Sequence, residues 1–245
     1  MNKKFAPAFL LIVICLLQAV GSIAQIKKVP GEKIVKPVHK ILPKKVLANK
    51  VTPIRIKIVT DSGTMIVKLY DSTPMHRDNF VKLVKEGFYD SLLFHRVIPQ
   101  FMIQGGDPNS KHAEQGSLLG NGGDDMARIP AEFRKSLFHK KGVLAAARDG
   151  NPEKASSACQ FYLVEGKVFT DEELSMMESQ KGIKIPAAQR AMYKTIGGTP
   201  FLDQGYTVFG EIENGIEVIH KIANLPRDTN NRPLVDIRMH MEVIK

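Results

Sequence analysis

The chain has 245 residues, 43% of them hydrophobic, a formal net charge of +10, two cysteines and no tryptophan. That length suits one ordinary domain with additions, and two cysteines exclude a disulfide-dense scaffold or a cysteine-built zinc site. The charge invites a nucleic-acid reading, but its distribution argues against one: residues 1–25 carry +2, residues 26–50 carry +7, and residues 51–245 carry only +1.

The first stretch, MNKKFAPAFLLIVICLLQAVGSIAQ, has the three parts of a secretory signal over 1–24. Lys3 and Lys4 open it, Leu10–Leu17 form its apolar run, and Ser22-Ile23-Ala24 supply small residues for cleavage. The run is short for a membrane span, and Ile14 before Cys15 is too bulky for a lipoprotein cleavage pattern. A periplasmic or secreted chain is therefore expected, in preference to a lipid or membrane tether. After cleavage only Cys159 remains, which forbids an intramolecular disulfide. Residues 25–50 combine eight lysines with Pro30, Pro37 and Pro43 and read as an extended basic linker. It is expected to be a solvated spacer and the only part suited to touch anionic lipid.

From residue 54 the pattern changes. Ile54, Ile56 and Ile58, then Met65, Val67 and Leu69, alternate with polar residues around Asp61-Ser62-Gly63, which predicts a hairpin. A helix follows, with Thr73 as cap, Pro74 at its first position, an apolar face of Phe80, Leu83 and Val84, and Gly87 as its stop. Residues 92–98 and 101–104 read as strands. Residues 105–131 form a long Gly- and Asp-rich loop, a length that in a compact domain marks function or mobility. Gly142–Ala147, Gln160–Val164, the segment around Val208-Phe209-Gly210 and the terminal VDIRMHMEV read as further strands. A short helix over 215–223 carries Ile216, Ile219 and Ile222 on one side.

Residues 166–199 interrupt this rhythm. Thr170 and Glu173 form a capping box before a helix ending near Gly182. Pro186 opens a second helix, stopped by Gly197-Gly198. This is an inserted helical hairpin, expected to pack on the surface of the barrel. The whole is mainly β, a closed barrel or a sandwich.

Strand alternation puts Gln160 and Tyr162 on one face and Phe161 on the other, and separates Met102 and Gln104 from Phe101 and Ile103. No GxSxG elbow, HExxH, P-loop or dinucleotide fingerprint is present. His95, among apolar neighbours, reads as a satisfied core residue. Arg96 poses the sharper question, because a guanidinium amid apolar sequence is either paired with a carboxylate or faces a cleft.

FHRVIPQFMIQGGDP over 94–108 strongly resembles the signature of the cyclophilins, the peptidyl-prolyl cis-trans isomerases. GVLAAAR, QFYLV and FLDQGYTVFG extend the resemblance over about residues 54–245, apart from the insertion, within a domain expected over 51–245. It implies a closed eight-stranded antiparallel barrel capped by two helices. It implies Arg96 as the catalytic group and Gln104 as its orienter, with Phe101, Met102, Tyr162 and Leu202 forming the proline pocket. Ala147, Arg148 and Gln160 would line the peptide groove, and Phe201 and Tyr206 its rim. The expected partners are Pro-containing peptides and unfolded proteins, with no cofactor, metal or nucleic acid, acting as a monomer. The expected role is isomerisation during folding of exported proteins. The alternative is a non-catalytic binding module or chaperone for Pro-containing segments.

The implied chemistry is simple. Rotation about an X-Pro bond breaks amide resonance against a barrier of about 18–20 kcal/mol. A site accelerates it by favouring the twisted state alone, and an always-charged arginine aimed at the pyramidal nitrogen does so. Since arginine does not titrate near neutrality, the catalytic residues should confer little pH dependence. Four positions depart from common family members: Phe201 stands for Trp, Tyr162 for Phe, Arg148 for Asn and Tyr206 for His. The missing indole implies weak cyclosporin binding. The Tyr162 hydroxyl needs a partner, and Arg148 adds a cation that would favour acidic residues before proline.

Overall fold

The computed structural model describes residues 52–244. The expected signal over 1–24 and linker over 25–50 lie outside the described residues. Those described form a mainly β structure: eight antiparallel strands in one curled, half-barrel sheet, with helices packed against it.

In chain order the elements are β1 (Arg55–Thr60), β2 (Gly63–Leu69), α1 (Pro74–Lys85), β3 (Arg96–Ile98), β4 (Met102–Gly105), β5 (Val143–Ala146) and β6 (Phe161–Val164). There follow α2 (Asp171–Lys181), α3 (Ala187–Thr195), β7 (Val208–Asn214), α4 (Ile216–Ala223) and β8 (Met239–Ile244). Across the sheet the order is β3-β4-β6-β5-β7-β2-β1-β8. The edge strands β3 and β8 share no ladder. A single antiparallel bridge, Leu93 to Arg238, joins the residues that precede them, flanked by Phe94 N–H to Ile237 O (3.0 Å) and Met239 N–H to Leu92 O (2.9 Å).

The hairpin forms as expected, with Ile58 facing Met65 across β1 and β2. Its alternation sends Ile56, Ile58, Met65, Val67 and Leu69 into the main core, where they meet Phe80, Leu83 and Val84 of α1 and Val218, Ile219 and Ile222 of α4. The strand predicted over 92–98 shortens to β3, because Leu92 and Phe94 hydrogen-bond to the chain at and before the start of β8 instead of continuing the ladder.

Thr73 does not cap α1. Its hydroxyl lies 3.4 Å from Tyr70 O, and the cap comes from Glu132, 57 residues beyond Met75. The Glu132 carboxylate accepts the backbone N–H of Met75 (3.2 Å) and of His76 (3.0 Å), and the ring Nδ1 of His76 lies 2.7 Å from it. A helix N-terminus leaves such donors unpaired, so a buried carboxylate serves where the local threonine fails. Glu132 lies four residues beyond Arg128 of the Gly- and Asp-rich loop, and nothing in its local sequence marks it as a cap.

Strands β5 and β6 are buried on both faces. Leu144, Ala146, Phe161 and Leu163 point into the main core, while Val143, Ala145, Tyr162 and Val164 form a second cluster outside the sheet with Met102 and Val208. That double burial explains why VLAA and FYLV read as uninterrupted apolar runs.

The inserted hairpin is present as α2 and α3. The capping box forms, with Thr170 Oγ1 accepting the Glu173 N–H at 3.2 Å and Glu173 Oε2 accepting the Thr170 N–H at 2.9 Å. The insertion has its own small core of Phe169, Leu174, Ile185 and Tyr193. Gly198, at φ +154°, lets the chain pass between β-bridge partners Lys140 and Lys167; a Cβ there would lie 2.2 Å from His139 O.

Candidate active site

The cleft lies on the outer face of the sheet, where β3, β4, β6 and β5 run side by side. Arg96 and Gln104 are register partners on β3 and β4, so cross-strand pairing brings their side chains together. Arg96 Nη1 donates to Gln104 Oε1 at 3.3 Å. Gln104 Nε2 donates to Gln160 Oε1 at 3.0 Å, and Gln160 Nε2 donates to Gly120 O and Gly122 O, both at 2.9 Å. The amides thus form a directed chain ending on the long loop.

Arg96 is half-buried, and among the described residues no carboxylate pairs with it. Asp107, the acid nearest in sequence, is fully buried and accepts backbone N–H groups of Asn109 and Gly120 instead. This decides the question raised by the sequence: the guanidinium faces a cleft. Burial pulls its proton affinity below the usual arginine value, with the Tyr206 phenol opposing.

Beside it lies a cavity of about 120 Å³. Phe101, Met102, Tyr162 and Leu202 give it apolar walls, Arg96 and Gln104 border one side, and Ala147, Arg148 and Tyr206 complete it. The small residues Ala145 and Ala147 leave room here, with Ala145 directly opposite Tyr162. Phe101 was expected on the Ile103 face. It lies instead in the turn before β4, free of strand alternation, and joins the pocket with its ring 5.9 Å from the Arg96 guanidinium carbon. Its carbonyl accepts the N–H groups of Glu165 and Gly166 at 3.0 Å, and the Glu165 carboxylate accepts the Gln100 N–H at 2.6 Å. Phe201 does not line this cavity; it stands at the rim, 38% exposed, against Phe101 (ring centroids 5.6 Å).

A second cavity of about 290 Å³ continues from the first, sharing Gln104, Ala147 and Arg148, and adds Gln160. The 120–128 loop supplies its far wall through Asn121, Asp124, Met126 and Arg128. Sequence reasoning named none of these four. Loop length was the only signal, because their contribution depends on where the loop folds. Gly122 marks that fold: a Cβ there would sit 2.0 Å from Asp107 Oδ1.

Arg148 is already engaged at the rim. Its Nε donates to Gly205 O and its Nη1 to Asp149 O, both at 2.7 Å, and its guanidinium carbon lies 4.7 Å from the Tyr206 ring centroid. The Tyr162 hydroxyl finds its partner in His139 Nε2 at 2.9 Å. Burial, with Tyr206 and Asp203 adding to it, pushes the Tyr162 phenol well above its ordinary value.

His95 is buried as expected but is not satisfied: neither ring nitrogen meets a partner among the described residues. Burial lowers its pKa to about 4, with Arg96 and Arg232 assisting and Asp107 opposing. The imidazole is therefore neutral at physiological pH.

The family model described as cyclophilin type peptidyl-prolyl cis-trans isomerase/CLD matches residues 55–243. A Staphylococcus aureus protein, named provisionally as a peptidyl-prolyl cis-trans isomerase, is 36% identical over 185 residues, covering 75% of this chain and 88% of its own length. A Streptococcus pyogenes protein, named provisionally as a bifunctional phosphatase/peptidyl-prolyl cis-trans isomerase, is 35% identical over 196 residues, 78% of this chain. The match spans 38% of that longer relative. Among solved structures, a cyclophilin type peptidyl-prolyl cis-trans isomerase of Cryptosporidium parvum superposes with a TM-score of 0.59 at 22% identity, covering 79% of this chain and 99% of that one. The same protein in the presence of the dipeptide Ala-Pro gives 0.56, with coverage of 78% and 99%.

Proposed function

Because the chain belongs to the cyclophilin-type peptidyl-prolyl cis-trans isomerase family, we propose that the Arg96 cleft is where it turns X-Pro bonds. The observation that carries this is a half-buried guanidinium, without a carboxylate partner among the described residues, held by the Gln104 amide beside a cavity walled by Phe101, Met102, Tyr162 and Leu202.

In this reading the proline ring seats between Phe101, Met102, Tyr162 and Leu202. Holding the ring fixes one side of the bond while the preceding carbonyl swings. Arg96 donates to the proline nitrogen as it becomes pyramidal, an interaction absent from both planar states, so it lowers the barrier without tightening either ground state. The neighbouring rings keep water away and strengthen the donor. Gln104 is the orienter of Arg96 and contacts substrate backbone. Ala147, Arg148 and Gln160 line the groove for residues before proline, and Phe201 and Tyr206 form the rim. The Ala-Pro dipeptide used with the solved Cryptosporidium relative supports Pro-containing segments as ligands.

The reading extends to the whole chain. Residues 1–24 direct export, residues 25–50 space the domain, and residues 51–245 act on exported proteins in the periplasm or outside the cell. There X-Pro isomerisation limits folding for tens to hundreds of seconds. The short contact between 91–94 and 237–239 closes the barrel in this reading.

The test is NMR exchange spectroscopy on an Ala-Pro peptide with the wild type and Arg96→Ala. Removing one preorganised donor is expected to cost about 10²-fold or more in catalysed exchange. Binding without accelerated exchange in the wild type would leave a Pro-segment binding module in place of an enzyme.

A further inference from the structure

The inserted hairpin reaches the wall of the cleft at two points. Lys181 Nζ donates to Phe201 O at 2.7 Å. Tyr193, wholly buried, packs edge-on against Phe138 and Phe169 (ring centroids 5.5 and 6.5 Å). Its hydroxyl lies 2.6 Å from Asp203 Oδ2. The other oxygen of Asp203 lies 2.9 Å from His139 Nδ1 and accepts the His139 backbone N–H at 2.8 Å. His139 Nε2 lies 2.9 Å from the Tyr162 hydroxyl. Four side chains, from a helix of the insertion to the wall of the pocket, thus form one unbroken sequence of hydrogen bonds.

The proton directions follow from what each group can do. A carboxylate only accepts, so the Tyr193 hydroxyl and the Nδ1–H of His139 both donate to Asp203. A neutral imidazole with its proton on Nδ1 offers only a lone pair at Nε2. In that tautomer the Tyr162 hydroxyl donates to it. Burial pushes both phenols above their ordinary values, so both keep their protons. His139 is buried and does not line the 120 Å³ cavity, so the hydroxyl is turned away from the pocket and the ring of Tyr162 is what the ligand meets.

We propose that Tyr193 is a positioning residue for the proline pocket, fixing Asp203, through it the tautomer of His139, and through His139 the hydroxyl of Tyr162. The inserted hairpin then sets affinity for the Pro segment, and the rotation step stays with Arg96. This inference rests on the reading of the cleft as the proline site.

In Tyr193→Phe the ring stays in its cluster and only the donor to Asp203 is lost. The carboxylate keeps its two contacts with His139 but loses the donor that fixes its plane, so its hold on the imidazole loosens and the Tyr162 hydroxyl can turn toward the pocket. Binding of an Ala-Pro peptide, followed by NMR titration, is expected to weaken about fivefold, with kcat changed less than about twofold. In the Tyr162→Phe background no hydroxyl remains to be turned, so adding Tyr193→Phe is expected to change binding by less than about 1.5-fold. An equal penalty in both backgrounds, or none in either, would overturn the proposal. The wild type gives a further readout that needs no variant: long-range imidazole nitrogen spectra are expected to show His139 with its proton on Nδ1 and a bare Nε2. Protonation on Nε2 would overturn the proposal whatever the variants do. If Arg96→Ala left catalysed exchange intact, the functional reading would fail, while the His139 tautomer would still report whether the chain of hydrogen bonds exists.

Discussion

Arg96 and Gln104 face each other across β3 and β4, with the guanidinium Nη1 3.3 Å from the amide Oε1. A neutral amide orients the cation without neutralising it. A carboxylate at the same place would hold the guanidinium in an ion pair and compete with the twisted bond for its donors. Gln104→Glu is therefore expected to lower kcat/KM at neutral pH by more than tenfold, about 1.4 kcal/mol or more. Gln104→Leu, which removes only the orienting contact, is expected to cost less. Exchange spectroscopy on the Ala-Pro peptide compares the two. A larger loss for Leu would show that orientation outweighs charge.

Glu132 is a second case of a distant residue finishing a local structure. One carboxylate serves two N–H groups at the start of α1 and the ring of His76, whose Nε2 lies 3.0 Å from Ser156 Oγ. Glu132→Gln leaves one acceptor oxygen for three donors. The expected cost is about 2–3 kcal/mol, a drop in Tm of roughly 5–10 °C for a domain of this size. Thermal unfolding followed by circular dichroism checks this, and an unchanged Tm would remove Glu132 from its capping role.

Stability should fall on mild acidification. Burial holds the His95 pKa at about 4 against an ordinary 6.5. The unfolded chain takes up this proton first as pH falls, so the contribution is complete above 6.5 and is lost between 6.5 and about 4. The gap corresponds to about 3 kcal/mol. Burial lowers His76 as well, which acts in the same direction. Urea unfolding at pH 7, 6, 5 and 4 is expected to show the decline, and His95→Gln is expected to flatten part of it. Parallel curves for the two proteins would contradict the assignment.

At the rim, Phe201 rests on Phe101 where common family members carry an indole. Phe201→Trp restores one hydrogen-bond donor and is expected to tighten cyclosporin binding by about tenfold, the equivalent of one net hydrogen bond. The chain has no other tryptophan, so indole fluorescence would read the titration directly. Unchanged affinity would place the limit on cyclosporin elsewhere in the groove.

The sequence by itself determined the β-rich class, the hairpin, the capped helices of the insertion and the cluster of residues at the cleft. The class, the hairpin and the caps rest on short-range physics, because strand alternation, capping chemistry and turn glycines act within a few residues; the cleft residues were legible only through the resemblance of their motifs to the cyclophilin signature. Arg96 and Gln104 face each other because β3 and β4 pair antiparallel in that register. The tertiary structure decided whatever depends on chain segments far apart in sequence. It showed that no carboxylate among the described residues pairs with Arg96, since Asp107 turns inward to the Gly120 loop. It moved the cap of α1 from Thr73 to Glu132 and brought Asn121, Asp124, Met126 and Arg128 to the groove. It also joined Tyr193 to Tyr162 through Asp203 and His139. Each of these is a buried polar group choosing its partner. Such a choice is made by desolvation and geometry once the chain has folded, and no local pattern encodes it.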